Sequence, residues 1–251
     1  MKKLYSRPES LNKSASGFCP GCMHGTITKI TAQVIDELEL GEKTICCLPV
    51  GCGTLGLLYW NLDLVGCAHG RAPAVATGIK RSRPQNLVFT YQGDGDLGAI
   101  GTAEIIHAAN RGENFTTIFV NNSIYGMTGG QMAPTTLVGQ KSTTSPTGRD
   151  PALAGYPMNI SEIIASLRAP AYVARFAVNT PANIKKAKAG IKKAFEIQLR
   201  NGGFTFIEIL SNCPTNWGMT PLESLDFIEE QTMKQFPLGI FKEPEEEIDK
   251  C

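Results

Sequence analysis

The residues best suited to bind an ionic ligand lie between Leu87 and Gly130. Leu87 to Tyr91 is a short apolar run, rich in aromatic and β-branched residues, which predicts a buried strand. Gly93-Asp94-Gly95-Asp96 follows it, where glycine lets backbone amides approach an anion and aspartate can hold a divalent cation. A second predicted strand, Thr116 to Val120, ends in Asn121-Asn122. Together, the two strand ends indicate magnesium-diphosphate chemistry.

The elements that would position these groups alternate between strand and helix patterns. Leu97 to Asn110 predicts a helix whose amino end lies at the GDGD turn, so its dipole favours negative charge there. Gln131 to Tyr156, rich in Thr, Ser, Gly and Pro, predicts a long loop that serves a function, covers a partner surface or is simply mobile. Further strands are predicted at Thr44 to Pro49, Ala171 to Val178 and Phe204 to Leu210, and further helices at Ala74 to Arg81, Ser161 to Leu167, Pro181 to Leu199 and Pro221 to Gln235. This alternation predicts an α/β fold with a mostly parallel sheet covered by helices on both faces.

Length and charge narrow the class of protein. The chain has 251 residues, of which 42% are hydrophobic, so we expect a single domain over 1–251 with irregular termini and a solvated acidic tail, Glu243 to Asp249. The net charge of +1 gives no bias toward nucleic acid or membrane. No apolar segment is long enough to span a bilayer, and the start resembles no signal peptide, so the expected location is cytoplasmic.

The eight cysteines point to metal binding, catalysis or burial, because a reducing compartment disfavours a disulfide framework. Cys19-Pro20-Gly21-Cys22 is a CxxC turn, which by itself is compatible with zinc, a redox dithiol or iron-sulfur. The polar segment before it argues against the dithiol. Cys52 and Cys213 follow predicted strands and lie beside loops that can converge, so they could complete a four-thiolate site.

The other four cysteines are not expected to belong to this four-thiolate site. Cys46 and Cys47 lie inside a strand pattern and are expected to be buried apolar side chains. Cys67 is ambiguous, and Cys251 is expected to be a free terminal thiol. The absence of a second CxxC argues against a zinc ribbon.

Several motifs carry a family resemblance. Gly93-Asp94-Gly95, followed after 25 residues by Asn121-Asn122, resembles the thiamine diphosphate motif. The string from Asn121 to Gln131, NNSIYGMTGGQ, is similar to the β subunit of 2-oxoacid:ferredoxin oxidoreductases. That family also has CPGC near its start, GC after the next strand and CPT near its end. The resemblance extends from Ser16 to Pro221, and one departure is Met23, where the family often has glycine.

The resemblance implies the diphosphate-binding half of the thiamine diphosphate fold and a set of site residues. It implies that a 4Fe-4S cluster is held by Cys19, Cys22, Cys52 and Cys213, and that magnesium is held by Asp94, Asn122 and the carbonyl of Ile124. His69, in the string CAHGRA, becomes a donor to phosphate, while Arg71 is left open between phosphate and an ion pair. The implied catalytic residues are Met127, Thr128 and His69. The implied cofactor-binding residues are Gly51, Cys52, Gly53, His69, Gly70, Gly93, Asp94, Gly95, Asp96, Asn122, Ile124, Tyr125, Gly126, Met127 and Thr128.

The resemblance also implies an activity and partners. The expected reaction is oxidative decarboxylation of a 2-oxo acid to acyl-CoA and CO2, with electrons passing through the cluster to ferredoxin. A separate α subunit is expected to supply the pyrimidine domain, with γ and δ subunits in addition, so this chain alone should bind thiamine diphosphate weakly. Met127 before Thr128, and Leu55 where a 2-oxoglutarate-type homologue has Lys, favour a branched-chain acid such as 2-oxoisovalerate, although NNSIYGMTGGQ also resembles the 2-oxoglutarate subtype.

Other interpretations stay open at this stage. A non-redox thiamine diphosphate-dependent decarboxylase or synthase would keep the GDG and NN motifs without needing the cysteines. A zinc-binding structural subunit would use the thiolates alone. The lysines of the predicted helix Pro181 to Leu199 are expected to form its solvated face, with docking of an acidic ferredoxin as the alternative; they are Lys185, Lys186, Lys188, Lys192 and Lys193.

Overall fold

The computed structural model describes residues 6–244, and its strands form one sheet. The strands are β1 Thr44–Leu48, β2 Asp63–Gly66, β3 Leu87–Gly93, β4 Thr116–Asn121, β5 Tyr172–Ala177, β6 Thr205–Leu210 and β7 Gly239–Lys242. Their order across the sheet is β2-β1-β3-β4-β6-β5-β7. All neighbouring pairs are parallel except β5 and β7, which are antiparallel. The predicted mostly parallel sheet is therefore confirmed.

Helices cover both faces of the sheet. They are α1 His24–Glu37, α2 Ala72–Ser82, α3 Thr102–Asn110, α4 Pro151–Ala154, α5 Ile160–Ser166, α6 Pro181–Leu199, α7 Pro214–Trp217, α8 Pro221–Phe227 and α9 Met233–Gln235. Residues of α1 and α6 share one apolar core with Phe89 and Tyr91 of β3, whereas residues of α2, α3 and α5 share a second core with Val88. Successive side chains of β3 thus point to opposite faces, which explains why its sequence is a continuous apolar run.

The predicted helix from Leu97 to Asn110 is wrong in one respect, because it is not continuous. A π-turn, Asp96–Ile100, is followed by a break at Gly101 before α3 begins. Gly101 packs so closely on the preceding loop that a β-carbon there would lie 2.6 Å from the carbonyl oxygen of Gly70. This contact needs glycine at 101 and brings the loop containing His69 against the GDGD turn. A second π-turn, Ile228–Thr232, likewise separates α8 from α9 in the predicted helix Pro221 to Gln235.

Five of the labelled elements were not predicted from the sequence: helices α1, α4 and α7 and strands β2 and β7. Strand β7, Gly239–Lys242, pairs with β5 and lies directly before the predicted acidic tail. Cys251 and most of the acidic tail lie outside the described residues. No helix within residues 6–244 is both long enough and apolar enough to cross a membrane.

The predicted loop from Gln131 to Tyr156 is held together by one buried arginine. Arg149 donates hydrogen bonds to six backbone carbonyls of its own region, those of Ala133, Pro134, Thr136, Ala154, Gly155 and Tyr156. Helix α4 lies within this segment and is capped by the Asp150 side chain. The loop is therefore ordered by internal contacts.

Candidate functional site

Four adjacent parallel strands, β1, β3, β4 and β6, end at the same edge of the sheet. Each is followed within a few residues by one of the predicted ligands: Cys52, Asp94, Asn122 and Cys213, respectively. Parallel pairing is what brings these side chains, distant in sequence, to one edge. The candidate site lies there.

A small cavity of about 100 Å³ opens at this edge. It is lined by His24, Val50, Gly51, Cys52, Gly53, His69, Gly93, Asp94, Gly95, Asp96, Asn122, Ile124, Tyr125, Gly126, Met127 and Thr128. Every predicted cofactor-binding residue is in this set except Gly70, whose N–H instead donates to Asp96 over 2.8 Å. His24 and Val50 line the cavity as well and were not predicted.

Asp94 is the central acidic group of the cavity, and its side chain is buried. Its carboxylate accepts hydrogen bonds from the Thr135 hydroxyl at 2.7 Å, the Gly95 N–H at 2.9 Å and the Ile124 N–H at 3.1 Å. Burial raises the pKa of Asp94 to about 6, although these hydrogen bonds oppose the rise. A divalent cation beside the carboxylate would offset the cost of burying its charge.

Asn122 and Ile124 complete an oxygen-rich turn next to Asp94. The Asn122 side chain lines the cavity, and its amide makes no hydrogen bond within residues 6–244. The peptide of Ile124 is held against Asp94 by the N–H hydrogen bond already described. A carboxylate, an unpaired amide and an adjacent peptide carbonyl are donors suited to magnesium, so the residues fit the metal that the resemblance implies.

The predicted ligand Asp96 makes its contacts within the protein. One carboxylate oxygen accepts from His69 Nδ1 at 2.5 Å and from the Gly70 N–H, and the other accepts from Gln92 Nε2 at 2.6 Å. Asp96 therefore orients His69 through its Nδ1–H. With Nδ1 occupied in this way, Nε2 is the ring nitrogen of His69 that remains for a phosphate.

His24 is the first residue of α1 and directly follows the CPGCM segment. Its Nδ1 lies 2.7 Å from the Tyr91 hydroxyl, and its ring stacks on Phe18 with centroids 5.1 Å apart. Burial lowers the pKa of His24 to about 4, so the ring is neutral near pH 7. A histidine two residues after a CxxC turn was the sequence signal that could have indicated it.

Two of the four predicted cluster cysteines, Cys52 and Cys213, lie beside Gly126. A β-carbon at Gly126 would lie 3.2 Å from Cys52 Sγ and 3.6 Å from Cys213 Sγ, so glycine leaves the space that these sulfurs face. Burial, together with negative charge on Cys213, Cys52 and Cys19, raises the pKa of Cys22 to about 12. All four thiols are thus close enough to interact electrostatically.

Asn212, which the sequence did not single out, ties the CPGC turn to the end of β6. Its Oδ1 accepts the Met23 N–H at 3.0 Å, and its Nδ2 donates to the Gly21 carbonyl at 3.0 Å and the Ser224 hydroxyl at 2.8 Å. Because Asn212 is fully buried and adjacent to Cys213, it fixes the two cysteine segments relative to each other.

The donor set of the four predicted cluster cysteines consists of sulfur alone. A tetrahedral zinc ion and an iron-sulfur cluster each take four thiolates, so these residues suit zinc and the 4Fe-4S cluster that the resemblance implies alike. Within the described chain, no group of three or more His, Cys, Asp or Glu side chains is already arranged to hold a metal ion.

The remaining predicted residues are placed as follows. Cys46, Cys47 and Cys67 are buried in the apolar cores, which agrees with the expectation for the first two. Arg71 forms an ion pair with Glu104. Leu55 packs against the core and does not line the cavity, so its proposed part in substrate choice has no support from its position.

The lysines of α6 are at least partly exposed, as predicted for its solvated face, and two of them make ion pairs. Lys188 pairs with Glu37 at 2.6 Å and Lys193 with Glu243 at 2.9 Å. A larger open cleft, of about 1150 Å³, lies near the amino ends of β1 and β2. It contains none of the predicted site residues, so the chemistry points to the smaller cavity.

Comparisons with known proteins identify the family of the chain. Residues 53–209 match the family model described as the thiamine pyrophosphate enzyme, C-terminal TPP binding domain. Ketoisovalerate oxidoreductase subunit VorA of Methanothermobacter marburgensis is 43% identical over 99% of this chain, but the match covers 54% of VorA. The 2-oxoglutarate synthase subunit KorB of Methanocaldococcus jannaschii is 37% identical over 86% of this chain and 78% of KorB. This chain therefore spans about half the length of VorA and most of KorB.

A solved structure shares the fold. The 2-oxoglutarate:ferredoxin oxidoreductase from Magnetococcus marinus, with 2-oxoglutarate, coenzyme A and succinyl-CoA bound, superposes with a TM-score of 0.79. The match covers 97% of this chain and 86% of that chain, at 24% sequence identity. It shows that nearly the whole chain adopts a known fold.

Proposed function

The chain belongs to the thiamine pyrophosphate-binding subunits of the 2-oxoacid:ferredoxin oxidoreductases. On this premise we propose that it provides the part of the active site that binds the diphosphate and the cluster. The proposed reaction is oxidative decarboxylation of a 2-oxo acid to acyl-CoA and CO2, with the electrons delivered to ferredoxin. Thiamine diphosphate, Mg²⁺ and a 4Fe-4S cluster are the proposed cofactors.

One observation carries the proposal: the oxygen donors and the thiols meet at a single residue. The position of a β-carbon at Gly126 is 3.2 Å from Cys52 Sγ, 3.6 Å from Cys213 Sγ and 3.8 Å from Asn122 Nδ2. A magnesium-diphosphate site and a sulfur-ligated centre at this spacing would lie side by side. A decarboxylase without redox chemistry has no need for the second of them.

Each residue of this binding site has a proposed role. Asp94, Asn122 and the Ile124 carbonyl hold the magnesium ion that carries the diphosphate. His69, oriented by Asp96, donates to a phosphate oxygen from Nε2. Gly93 leaves open space beside its backbone, since no heavy atom lies within 4 Å of a β-carbon built there. Cys19, Cys22, Cys52 and Cys213 hold the cluster.

When bound, thiamine diphosphate supplies the electron-accepting ring that allows CO2 to leave a 2-oxo acid, and the protein supplies orientation and electrostatics. The Gly126–Thr128 turn is the part of this chain proposed to meet the substrate. Met127 is 48% exposed and lines the cavity, so it presents a flexible apolar surface to that substrate. This favours a branched-chain acid such as 2-oxoisovalerate, as does the similarity to a ketoisovalerate oxidoreductase subunit.

The complete active site is proposed to need partner subunits. A cavity of about 100 Å³ is smaller than the roughly 300–1,000 Å³ of typical small-molecule sites. VorA is about twice as long as this chain, so the relative has enough additional sequence to form another part of the active site. We propose that an α subunit with the pyrimidine domain closes the site, that γ and δ subunits complete the complex, and that the isolated chain binds thiamine diphosphate weakly. The seven described cysteines are free thiols, which suits a reducing compartment such as the cytoplasm.

The proposal is tested on the complete complex purified without oxygen. We expect iron, acid-labile sulfide, magnesium and thiamine diphosphate in the preparation, and CoA-dependent reduction of ferredoxin that is faster with 2-oxoisovalerate than with 2-oxoglutarate or pyruvate. Zinc in place of iron would favour a structural subunit, and decarboxylation without ferredoxin reduction would favour a non-redox enzyme. A strong preference for pyruvate would overturn the substrate proposal alone.

A further inference from the structure

Asn216 connects the cysteine segment to the turn proposed to meet the substrate. It lies on α7, three residues after Cys213. Its Nδ2 is 3.2 Å from Cys213 Sγ and 2.9 Å from the carbonyl oxygen of Gly126. These two acceptors belong to segments 87 residues apart in the sequence, and one side chain joins them.

The chemistry of the two acceptors settles which way the Asn216 amide points. An amide nitrogen carries two hydrogens, so it can donate one to the sulfur and one to the carbonyl. The opposite orientation would place the amide oxygen against a carbonyl oxygen and a thiolate, with no hydrogen to share. The backbone also leaves room for this arrangement, because a β-carbon at Gly130 would lie 3.1 Å from both Cβ and Oδ1 of Asn216.

A hydrogen bond to a ligating sulfur changes the electronics of an iron-sulfur centre. The donor withdraws negative charge from the thiolate, which favours the more negative, reduced state and so raises the reduction potential. Among the side chains in the described chain, Asn216 is the one that donates a hydrogen bond to any of the four cluster cysteines. It is therefore placed to set the potential.

The second hydrogen bond acts on the substrate side. Gly126 precedes Met127, and no Cβ restricts its backbone, so an external anchor on its carbonyl limits how far the turn can move. The Asn216 amide supplies that anchor at 2.9 Å. The same side chain thus contacts both the sulfur that would ligate the cluster and the turn that carries Met127.

We propose that Asn216 is a positioning residue that raises the reduction potential of the cluster through Cys213 and fixes the Met127 turn through Gly126. The inference rests on the proposed function, because it needs a cluster at Cys213. It predicts that one substitution changes both the reduction potential of the cluster and the KM for the 2-oxo acid. Substitution of a residue that only stabilises α7 would not change both.

The test uses potentiometric titration of the oxygen-free complete complex, followed by electron paramagnetic resonance, with KM for the 2-oxo acid measured in parallel. Asn216→Leu removes both hydrogen bonds, and Asn216→Asp keeps the side-chain volume while removing both donors at neutral pH. We expect a lower reduction potential and a raised KM in both variants. Thr215→Val, an exposed polar-to-apolar change at the adjacent residue, is the matched control and should change neither.

The outcomes separate this inference from the proposed function. A wild-type complex without a cluster signal would overturn the proposed function. A wild-type signal with an unshifted potential in an Asn216 variant that retains its cluster would overturn the inference alone. If Asn216→Leu fails to assemble, Asn216→Asp decides, and loss of the cluster from both variants would contradict the inference by giving Asn216 an assembly role instead.

Discussion

Glu208 lies on β6 and binds Asn121, the residue that precedes the turn proposed to bind magnesium. Its replacement by glutamine should lower the free energy of unfolding. Glu208 and Arg175 are both fully buried. The Glu208 carboxylate accepts from Asn121 Nδ2 at 2.7 Å, from the Ser161 hydroxyl at 2.5 Å and from Arg175 Nε at 2.8 Å. Three donors of one buried network therefore depend on a group that only accepts.

Glutamine cannot satisfy this network in either orientation. If its oxygen faces Ser161 and Arg175, its NH2 group faces the Nδ2 of Asn121, which is also a donor. Rotating the Asn121 amide does not help, because its Oδ1 already accepts the Ser123 N–H at 3.2 Å. The N–H of Ser123, the residue between Asn122 and Ile124, would then face the NH2 group of Asn121, which is also a donor. At least one buried donor is left unpaired.

The expected loss of stability follows from two contributions. An unpaired buried donor costs about 1–3 kcal/mol. Breaking a buried ion pair by removing one partner costs about 3–5 kcal/mol. Arg175 keeps its second partner, because Glu162 binds it through two hydrogen bonds of 2.6 and 2.9 Å, so the ion-pair contribution should be small. We therefore expect Glu208→Gln to lower the free energy of unfolding by about 3 kcal/mol.

Urea unfolding of the oxygen-free purified protein, followed by tryptophan fluorescence, measures this loss. Glu162→Gln is the matched control, because the Glu162 side chain is 38% exposed and its loss leaves the Glu208 pair intact. We expect the control to cost roughly 1 kcal/mol or less. The reasoning is refuted if Glu208→Gln unfolds within 0.5 kcal/mol of the wild-type protein (roughly the spread of neutral surface changes), or if the control costs as much as Glu208→Gln.

Three further predictions concern the cysteines, the diphosphate turn and acid stability. Cys19→Ser should abolish the broad visible absorption and iron content of the complex, whereas Cys46→Ala, in the core, should retain both. Gly95→Ala should weaken binding of magnesium and thiamine diphosphate, measured by calorimetry on the complex, because the added methyl group would overlap the ring of Tyr125. Hydrogen bonds from Arg111 and Arg81 outweigh burial and lower the pKa of Glu113 below its ordinary value of 4.5. Glu113 therefore contributes stability above that value and loses it as the pH falls, so the difference in urea midpoint between wild type and Glu113→Gln should be larger at pH 7 than at pH 4.

The sequence predicted elements well where the chain carries explicit start signals or continuous apolar runs. Helix α6 begins at Pro181 after Thr180, whose side chain caps it, and its predicted bounds are the observed ones. Helix α1 has no such signal, because Met23 at its N-cap makes no side-chain hydrogen bond and Thr residues interrupt its pattern. Strands β2 and β7 are short and partly exposed, so they lack the buried apolar run that identified β3, β4 and β6.

The site was predictable where the residues themselves carry the chemistry and unpredictable where they only support it. Asp94 and Asn122 stand at strand ends and have the oxygen donors that magnesium prefers, so their types and spacing were informative. Asn212 and Asn216 act through hydrogen bonds to backbone groups 90 to 191 residues away in the sequence, and Asn216 also bonds the sulfur of Cys213, three residues before it. Neither residue belongs to a motif, and no periodicity marks it, so only the folded chain identifies them.

Gly126 shows why the two proposed centres constrain each other. The sulfurs of Cys52 and Cys213 and the amide nitrogen of Asn122 all lie within 4 Å of where a β-carbon would be. A methyl group at 126 would have to push Cys52 Sγ, at 3.2 Å, away by a few tenths of an ångström, and larger side chains would need more room. Such a shift would lengthen the path between the two proposed centres, so the proposed electron transfer gives a reason for glycine at this position that the backbone conformation alone does not.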